Sequence, residues 1–505
     1  MAIRSLHALG GVGLFAFLAA CGSGPTEATG STAAALHGNH DSLPNDLPFE
    51  NPTGEAATYS TAGHVDLTNE FFQNLGTNGR SCGSCHQASD GWTVTPPHIQ
   101  DRFMDSDGTD PIFRPIDGAN RPDADVSTGH ARRAAYNMLL TKGLIRIGDT
   151  LGVNPPAVAD FTIVSVDDPY GYASPTRLSM FRRPLPSTNL RFLTTVMWDG
   201  RETLAGTDHC NHTDENGKCF ATLDADFADQ AQGATLGHAQ AMVPGLSAQQ
   251  LADIVAFETG LSTAQVRDND AHKLTAHNGL GGPFNITTQV TYYGINDNLG
   301  DYQTGDPFST SVFTLYDAWA GLHGHDDGDD DTDDVNSARA SVARGEALFN
   351  SGPITISGVA GLNGTVGSPF NPPLPASFVG SCTTCHDTPN SGNHSIVAPL
   401  NIGLTGDHPE ALARTPDLPL YTIQSNTTGA IVQTTDPGRA IITGKFADVG
   451  KFKGPILRGL AARAPYFHNG SAKDFDAVID FYNNRFVMNL TDQEHDDLVH
   501  FLRTL

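Results

Sequence analysis

Positive charge is what this 505-residue sequence has least of. Its 29 lysines and arginines face 56 acidic residues, a formal net charge of −27, and no basic stripe interrupts the excess. Such a surface repels polyanions, which excludes nucleic acid and anionic lipid as partners for the body of the protein. The apolar run at the start, Leu14, Phe15, Phe17 and Leu18 behind Arg4, is too short to span a bilayer. It reads as an export signal over residues 1–21. Charged residues make up only 17% of the chain, against 53 glycines and 31 prolines. That balance predicts a loop-rich body, and the length predicts more than one domain.

Cysteine is sparse too, with seven in all. Leu18-Ala19-Ala20-Cys21 resembles the bacterial lipoprotein box, in which the cysteine is acylated and becomes the new N-terminus; the alternative is an ordinary signal cut near Ala20. The lipid on Cys21 would then be the only membrane attachment. Residues 22–60 are rich in Gly, Ser, Thr, Ala, Asn and Pro and read as a flexible tether. Cys210 and Cys219 flank a polar stretch, and in an oxidising compartment they are expected to form a local disulfide. A metal site with His209 and His212 is the rival reading.

The other four cysteines lie in two pentapeptides, Cys82-Gly83-Ser84-Cys85-His86 and Cys382-Thr383-Thr384-Cys385-His386. Each has the Cys-x-x-Cys-His spacing of a c-type haem attachment site. Two intervening residues let both sulfurs reach the vinyl groups of one porphyrin, and the adjacent histidine reaches the iron. A histidine in both copies weakens the zinc and thioredoxin-type readings of Cys-x-x-Cys. Two covalent haem c groups are therefore expected.

A second repeat accompanies the first. Residues 246–257 align without a gap with residues 490–501. Both begin with a capping box, Ser247 with Gln250 and Thr491 with Glu494, and both place apolar side chains at the same helical offsets: Ile254, Val255 and Phe257 against Leu498, Val499 and Phe501. Each copy follows one haem motif. This arrangement resembles class I cytochrome c domains, in which a leading helix enters the motif and a closing helix packs across it. The expected fold is mainly α, with two such domains at 60–262 and 337–505, leading helices around 67–75 and 338–349, and a haem-wrapping irregular insert at 112–187. Residues 263–336 are read as an insert and acidic linker, with a strand at 287–293 and a helix at 312–322. The acidic run at 323–334 lacks the positional pattern of an EF-hand loop and reads as a solvated linker.

Three further stretches carry a family resemblance. Residues 451–458 with Ala464-Pro465-Tyr466-Phe467-His468-Asn469-Gly470-Ser471 resemble the C-terminal signature of bacterial di-haem cytochrome c peroxidases and their MauG-like relatives. Met197-Trp198-Asp199-Gly200-Arg201 resembles the family's Trp-Asp-Gly-Arg element, and the segment from His130 through Asn137 is similar, more weakly, to the loop bearing a labile haem ligand.

The resemblance implies an exported, periplasm-facing enzyme in which one haem stores an oxidising equivalent, the other meets hydrogen peroxide, and Trp198 lies between them. It implies Tyr482 or Met488 as sixth ligand of the C-terminal haem, His130 (or His98) as that of the N-terminal haem, and a calcium ion near Asn137 and Pro465. Gln230 matches the family's glutamine element. Where the family has a glutamate, this chain has His238 and Gln240; His238 is read either as the proton shuttle or as a structural histidine, and the missing carboxylate weighs against efficient peroxidase turnover and leaves room for oxygen chemistry. Three activities follow: peroxide reduction with a small periplasmic donor protein, or oxidation of a protein substrate; an oxygenase of the di-haem rubber-oxygenase type acting on oxygen; and a non-catalytic electron carrier.

Overall fold

The computed structural model describes residues 41–203, 212–213, 219–220, 223–323, 330–364, 374–406 and 416–505. The export signal, Cys21, the first part of the expected tether and Cys210 lie outside the described residues. Cys219 opens a two-residue strand paired with His212–Thr213, but the side chains of that hairpin, and with them the expected disulfide, also lie outside. Helix accounts for 31% and strand for 18% of the structure.

The duplicated helices form where the capping boxes place them. Ser247 caps Ala248–Thr259 and Thr491 caps Asp492–Arg503, each with its reciprocal side chain in place. The leading helix of the second copy, Asp330–Ser351, is longer than expected and takes in the end of the acidic run. Acid at a helix N-terminus complements the macrodipole. This helix crosses Asp492–Arg503 at Gly345, where a Cβ would stand 1.9 Å from the Asp497 carbonyl oxygen; only a residue without a side chain permits that approach. Arg344 closes the crossing with an ion pair to Asp497 at 2.7 Å.

The first copy has no matching helix. A single 3₁₀ turn, Glu70–Phe72, stands in its place, because Asn74, Gly76, Asn78 and Gly79 follow within the next two turns and break the periodicity. The expected tether also gives way. Its last residues form Pro48–Asn51 and Gly54–Ser60, the latter pairing with Leu261–Asp268 in a four-stranded antiparallel sheet. Small polar residues conceal these strands, whose partner lies far along the chain.

Two expectations for residues 263–336 are corrected. Residues 287–293 form no strand; Pro283 begins a short helix, Pro283–Thr287, and Thr287 and Thr288 turn their hydroxyls back onto the carbonyls of Phe284 and Asn285. Residues 312–322 form only the turn Asp317–Trp319. Backbone amides of this stretch are instead taken by side chains of the Asp330–Ser351 helix: Leu315 and Tyr316 donate to Glu346 at 2.8 and 3.1 Å, and Phe313 donates to Asn350 at 3.0 Å. The segment is core rather than linker. Val312, Phe313, Leu315, Tyr316 and Trp319 pack with Val342, Phe349, Val478, Leu498 and Phe501.

A three-stranded sheet ordered Ile431–Thr434, Leu420–Ser425, Phe161–Asp167 joins the two halves, so residues 41–505 pack as one compact unit. Among the described residues, no helix is long and apolar enough to cross a membrane.

Candidate functional site

The two pentapeptides fold alike. Each opens on a serine-capped 3₁₀ turn, Cys82–Ser84 behind Ser81 and Cys382–Thr384 behind Ser381. In both, the histidine amide reaches back to the first cysteine's carbonyl, at 3.0 and 3.1 Å. His86 Nδ1 donates to the Trp92 carbonyl at 2.9 Å, and His386 Nδ1 donates to the Gly392 carbonyl at 2.6 Å. A carbonyl only accepts, so Nδ1 carries the proton and Nε2 keeps its lone pair for a metal. Burial pushes both imidazoles down to about 4, which keeps them neutral.

The duplication extends to the packing behind each histidine. Phe257 stacks near Phe71 (ring centroids 5.0 Å), which faces His86 (6.1 Å). Phe501 packs on Phe349 (5.5 Å), which faces His386 (5.9 Å). Aligned positions of the repeat thus buttress equivalent histidines.

Beside the second motif lies a cleft with about 1800 Å³ of free space, its open mouth included, whose wall holds Cys382, Cys385 and His386. It is mostly apolar, with three buried cations at its edge. Burial pulls Lys453 down to about 7, helped by nearby Arg463, and lowers Arg183 and Arg463 to about 10. The hydrogen bonds of both guanidinium groups go to backbone carbonyls. Among the described residues none of the three forms a salt bridge. A buried cation without an acid partner is costly. An apolar cavity with two thiols, a neutral imidazole and unanswered positive charge suits a porphyrin, whose ring is apolar and whose propionates are anionic.

The rival readings of Cys-x-x-Cys fit less well. Burial pushes the Cys382 and Cys385 thiols up to about 12, opposite to the depressed values of redox-active pairs. Among the described residues, no group of three potential metal ligands includes either pentapeptide, against a structural zinc site.

The cleft gathers several of the predicted residues. Tyr482 and Met488 both line it, as does Trp198. Trp198 Nε1 donates to the Arg183 carbonyl at 2.8 Å, and its neighbour Asp199 is fully buried between Arg182 (2.5 Å) and Arg201 (3.2 Å). Burial would raise the Asp199 carboxyl, but the two guanidinium groups hold it at about 2. Arg182 also pairs with Asp436 at 2.6 Å, so the Trp-Asp-Gly-Arg element is anchored to the C-terminal half. Thr93 and Pro186 line the cleft, while their neighbours Trp92 and Ser187 touch His86. One residue therefore separates the cleft wall from the first motif's histidine.

His468 in the same wall is a residue the sequence reading quoted without giving it a role. It is buried, both ring nitrogens lack a hydrogen-bond partner, and it stacks on Phe452 (centroids 4.0 Å) and lies 6.1 Å from the Trp198 ring. Burial lowers it to about 4. Its place in the Tyr-Phe-His signature was the signal for it.

Around the first motif, His238 Nδ1 donates to the buried Asp117 at 2.5 Å, and Arg80 pairs with the same carboxylate at 2.6 Å. Burial would raise Asp117, yet Arg80 and His238 hold it near 2. A carboxylate does stand beside His238, but it comes from Asp117, in a loop more than a hundred residues upstream. No local pattern announces it. Gln240 takes a hydrogen bond from Asn78 at 3.3 Å, in the loop that enters the first motif. Gln230 is half-buried on the Asp224–Gly237 helix. His130 stands exposed on the Gly129–Ala135 helix, and among the described residues no hydrogen bond or ring contact joins it to His86. His98 is exposed and bound to Asp90 at 2.6 Å. Asn137 is exposed at the start of Asn137–Lys142, whose last residue lies beside Gly470, itself 3.4 Å from Pro465 when given a Cβ.

No protein-family model matches the chain. Among curated proteins it is 36% identical over 107 residues to cytochrome-c peroxidase IdrP2 of Denitromonas iodatirespirans, covering 21% of this chain and 28% of that one. To cytochrome-c peroxidase IdrP1 of the same organism it is 33% identical over 141 residues, 25% of this chain and 36% of the relative. To cytochrome-c peroxidase IdrP2 of Pseudomonas sp. (strain SCT) it is 30% identical over 137 residues, 25% and 35% respectively. Over a quarter of its length the chain is similar to cytochrome-c peroxidases. It spans about a third of the length of these relatives.

Proposed function

We propose that the chain is an exported di-haem c oxidoreductase of the cytochrome c peroxidase type, which reduces hydrogen peroxide or uses it to oxidise a partner protein. One observation carries the reading: two Cys-x-x-Cys-His turns, each pinning its histidine through Nδ1 so that Nε2 is presented neutral and unprotonated. Similarity to named peroxidases over part of the chain supports the same class. Haem would be held by Cys82, Cys85 and His86 and by Cys382, Cys385 and His386, and when bound would supply iron redox chemistry.

The chain's own residues do the rest. His238, fixed by Asp117, takes a proton at Nε2 and returns it, the shuttle that O–O cleavage needs. Lys453, Arg183 and Arg463 offset carboxylates at the cleft edge, and the apolar wall excludes water. Trp198, held in the cleft wall by its bond to the Arg183 carbonyl, offers its π-system as an electron relay. Tyr482, Met488 and His468 offer a phenolate, a thioether and an imidazole as ligands; a hard phenolate favours higher oxidation states and the partner-oxidising variant. The N-terminal segment is proposed to place the enzyme at the periplasmic face of a membrane through a lipid on Cys21.

The test is mass spectrometry and spectroscopy of protein matured in a host with cytochrome c assembly. Two added porphyrins and a high-spin electron paramagnetic resonance signal consumed by peroxide are expected. Absence of added mass, or wholly low-spin spectra indifferent to peroxide in both ferric and half-reduced protein, refutes the proposal; the latter points to an electron carrier.

A further inference from the structure

Asp297, Asp387 and His394 meet in the interior beside the second Cys-x-x-Cys-His motif: Asp387 directly follows His386, and His394 lines the cleft. Asp297 and Asp387 have no exposed surface and His394 is 4% exposed. One potential ligand atom from each lies within 4.8 Å of the other two. His394 Nδ1 stands 3.0 Å from an oxygen of Asp387. The Asp387 Oδ1 is occupied by the Ser395 amide (2.6 Å), and the Asp297 Oδ1 by the Leu299 amide (2.9 Å). The other oxygen of Asp297, Oδ2, is buried with no hydrogen-bond partner.

Two carboxylates in one dry space repel, and a single imidazole answers at most one of them. The unpartnered Oδ2 marks where the missing positive charge belongs. We propose that these three side chains bind a divalent transition-metal cation, zinc by preference, with a position left for water or a hydroxyl. An imidazole in the set disfavours calcium and magnesium, which take oxygen ligands, and two carboxylates with one nitrogen suit a borderline ion at three-ligand valence.

The position gives the ion a purpose that does not depend on peroxide chemistry. Asp297 lies in the segment 263–336, whereas Asp387 directly follows His386. The same segment already reaches the motif through Asn296 Nδ2 to the Asp387 carbonyl (3.1 Å) and Asn298 Nδ2 to the Thr384 carbonyl (2.7 Å). Metal bridging Asp297 to Asp387 and His394 would clamp the insert over the second Cys-x-x-Cys-His turn.

The experiment uses the full matured protein. After dialysis against a chelator, metals are measured by inductively coupled plasma mass spectrometry before and after adding back zinc, manganese or calcium. The expected result is one zinc per chain, in addition to haem iron, lost by more than about 100-fold in affinity in Asp297→Asn while haem content is retained. Limited proteolysis of residues 289–306 then speeds up in the chelated wild type and slows again on adding zinc. Should Asp297→Asn fail to mature, the wild-type arms decide alone. Calcium bound in place of zinc, no stoichiometric ion other than iron, or proteolysis indifferent to chelation each overturns the proposal.

Discussion

Asp117 and His238 come from distant segments to share a hydrogen bond of 2.5 Å, and Arg80 holds the carboxylate from its other side. The pair sets the tautomer of His238 as well as its orientation. Asp117→Asn keeps the size of the side chain but no longer requires Nδ1 to donate. Peroxide turnover is expected to fall by about 10²–10⁴-fold, with both haems still attached. His238→Gln should match it. Steady-state kcat measured alongside haem absorbance checks both; undiminished turnover in either variant removes His238 from the shuttle.

Trp198→Phe keeps an aromatic ring in the cleft wall but loses the indole and its bond to Arg183. Transfer between the two haems should slow while the spectrum of each haem stays as it was. Stopped-flow mixing of the half-reduced protein with peroxide reads the rate, and unchanged kinetics would refute the relay.

Glu258 is buried, with one oxygen unpartnered, and burial pushes its carboxyl up to about 7. A raised carboxyl stays protonated in the fold after the unfolded chain ionises near 4.5. Its effect is therefore nil below that value, grows unfavourable as pH rises and levels off above about 7, a loss of roughly 3 kcal/mol. Glu258→Gln should flatten this decline, making the variant the more stable form at pH 8 and level with wild type at pH 4. Thermal unfolding across that range checks the sign.

Asp199 behaves in the opposite way. With its carboxyl held at about 2, it contributes stability above roughly pH 4 that disappears as pH falls through 2, about 2 kcal/mol. Asp199→Asn should lose this acid dependence and, because Arg201 then lacks its buried partner and Arg182 keeps only Asp436, be less stable at pH 7 as well. Acid titration followed by circular dichroism tests it.

Gly345→Ala gains a few tenths to about 1 kcal/mol of helix propensity but sets a methyl group 1.9 Å from the Asp497 carbonyl oxygen. Backbone cannot yield as a side chain can, so the clash prevails and a net loss of about 1–3 kcal/mol is expected. A melting temperature equal to wild type would mean the helices do not cross there.

What could be read from the sequence was whatever is written locally. Ser247 with Gln250 and Thr491 with Glu494 fixed two helices to the residue, because a cap acts over three positions. The two Cys-x-x-Cys-His stretches likewise share one local fold, a 3₁₀ turn behind a serine. What escaped was whatever depends on distant partners. Gly54–Ser60 looked like tether because its ladder is made with Leu261–Asp268, and residues 312–322 do not form the expected helix where Phe313, Leu315 and Tyr316 give their amides to Asn350 and Glu346. Asp117 was missed for the same reason: nothing in its own neighbourhood names His238 as its partner.

That ladder bears on the order in which the molecule can be built. Thr58, in the strand Gly54–Ser60, accepts a hydrogen bond from the Trp92 indole at 2.8 Å and sits 2.9 Å from Thr263 in the partner strand. The scaffold behind His86 is therefore incomplete until Leu261–Asp268 has been synthesised, and contacts at such separation form late. Enzymes that join porphyrin to Cys82 and Cys85 during biogenesis would meet an open peptide, and prosthetic-group attachment would precede closure of the chain around it.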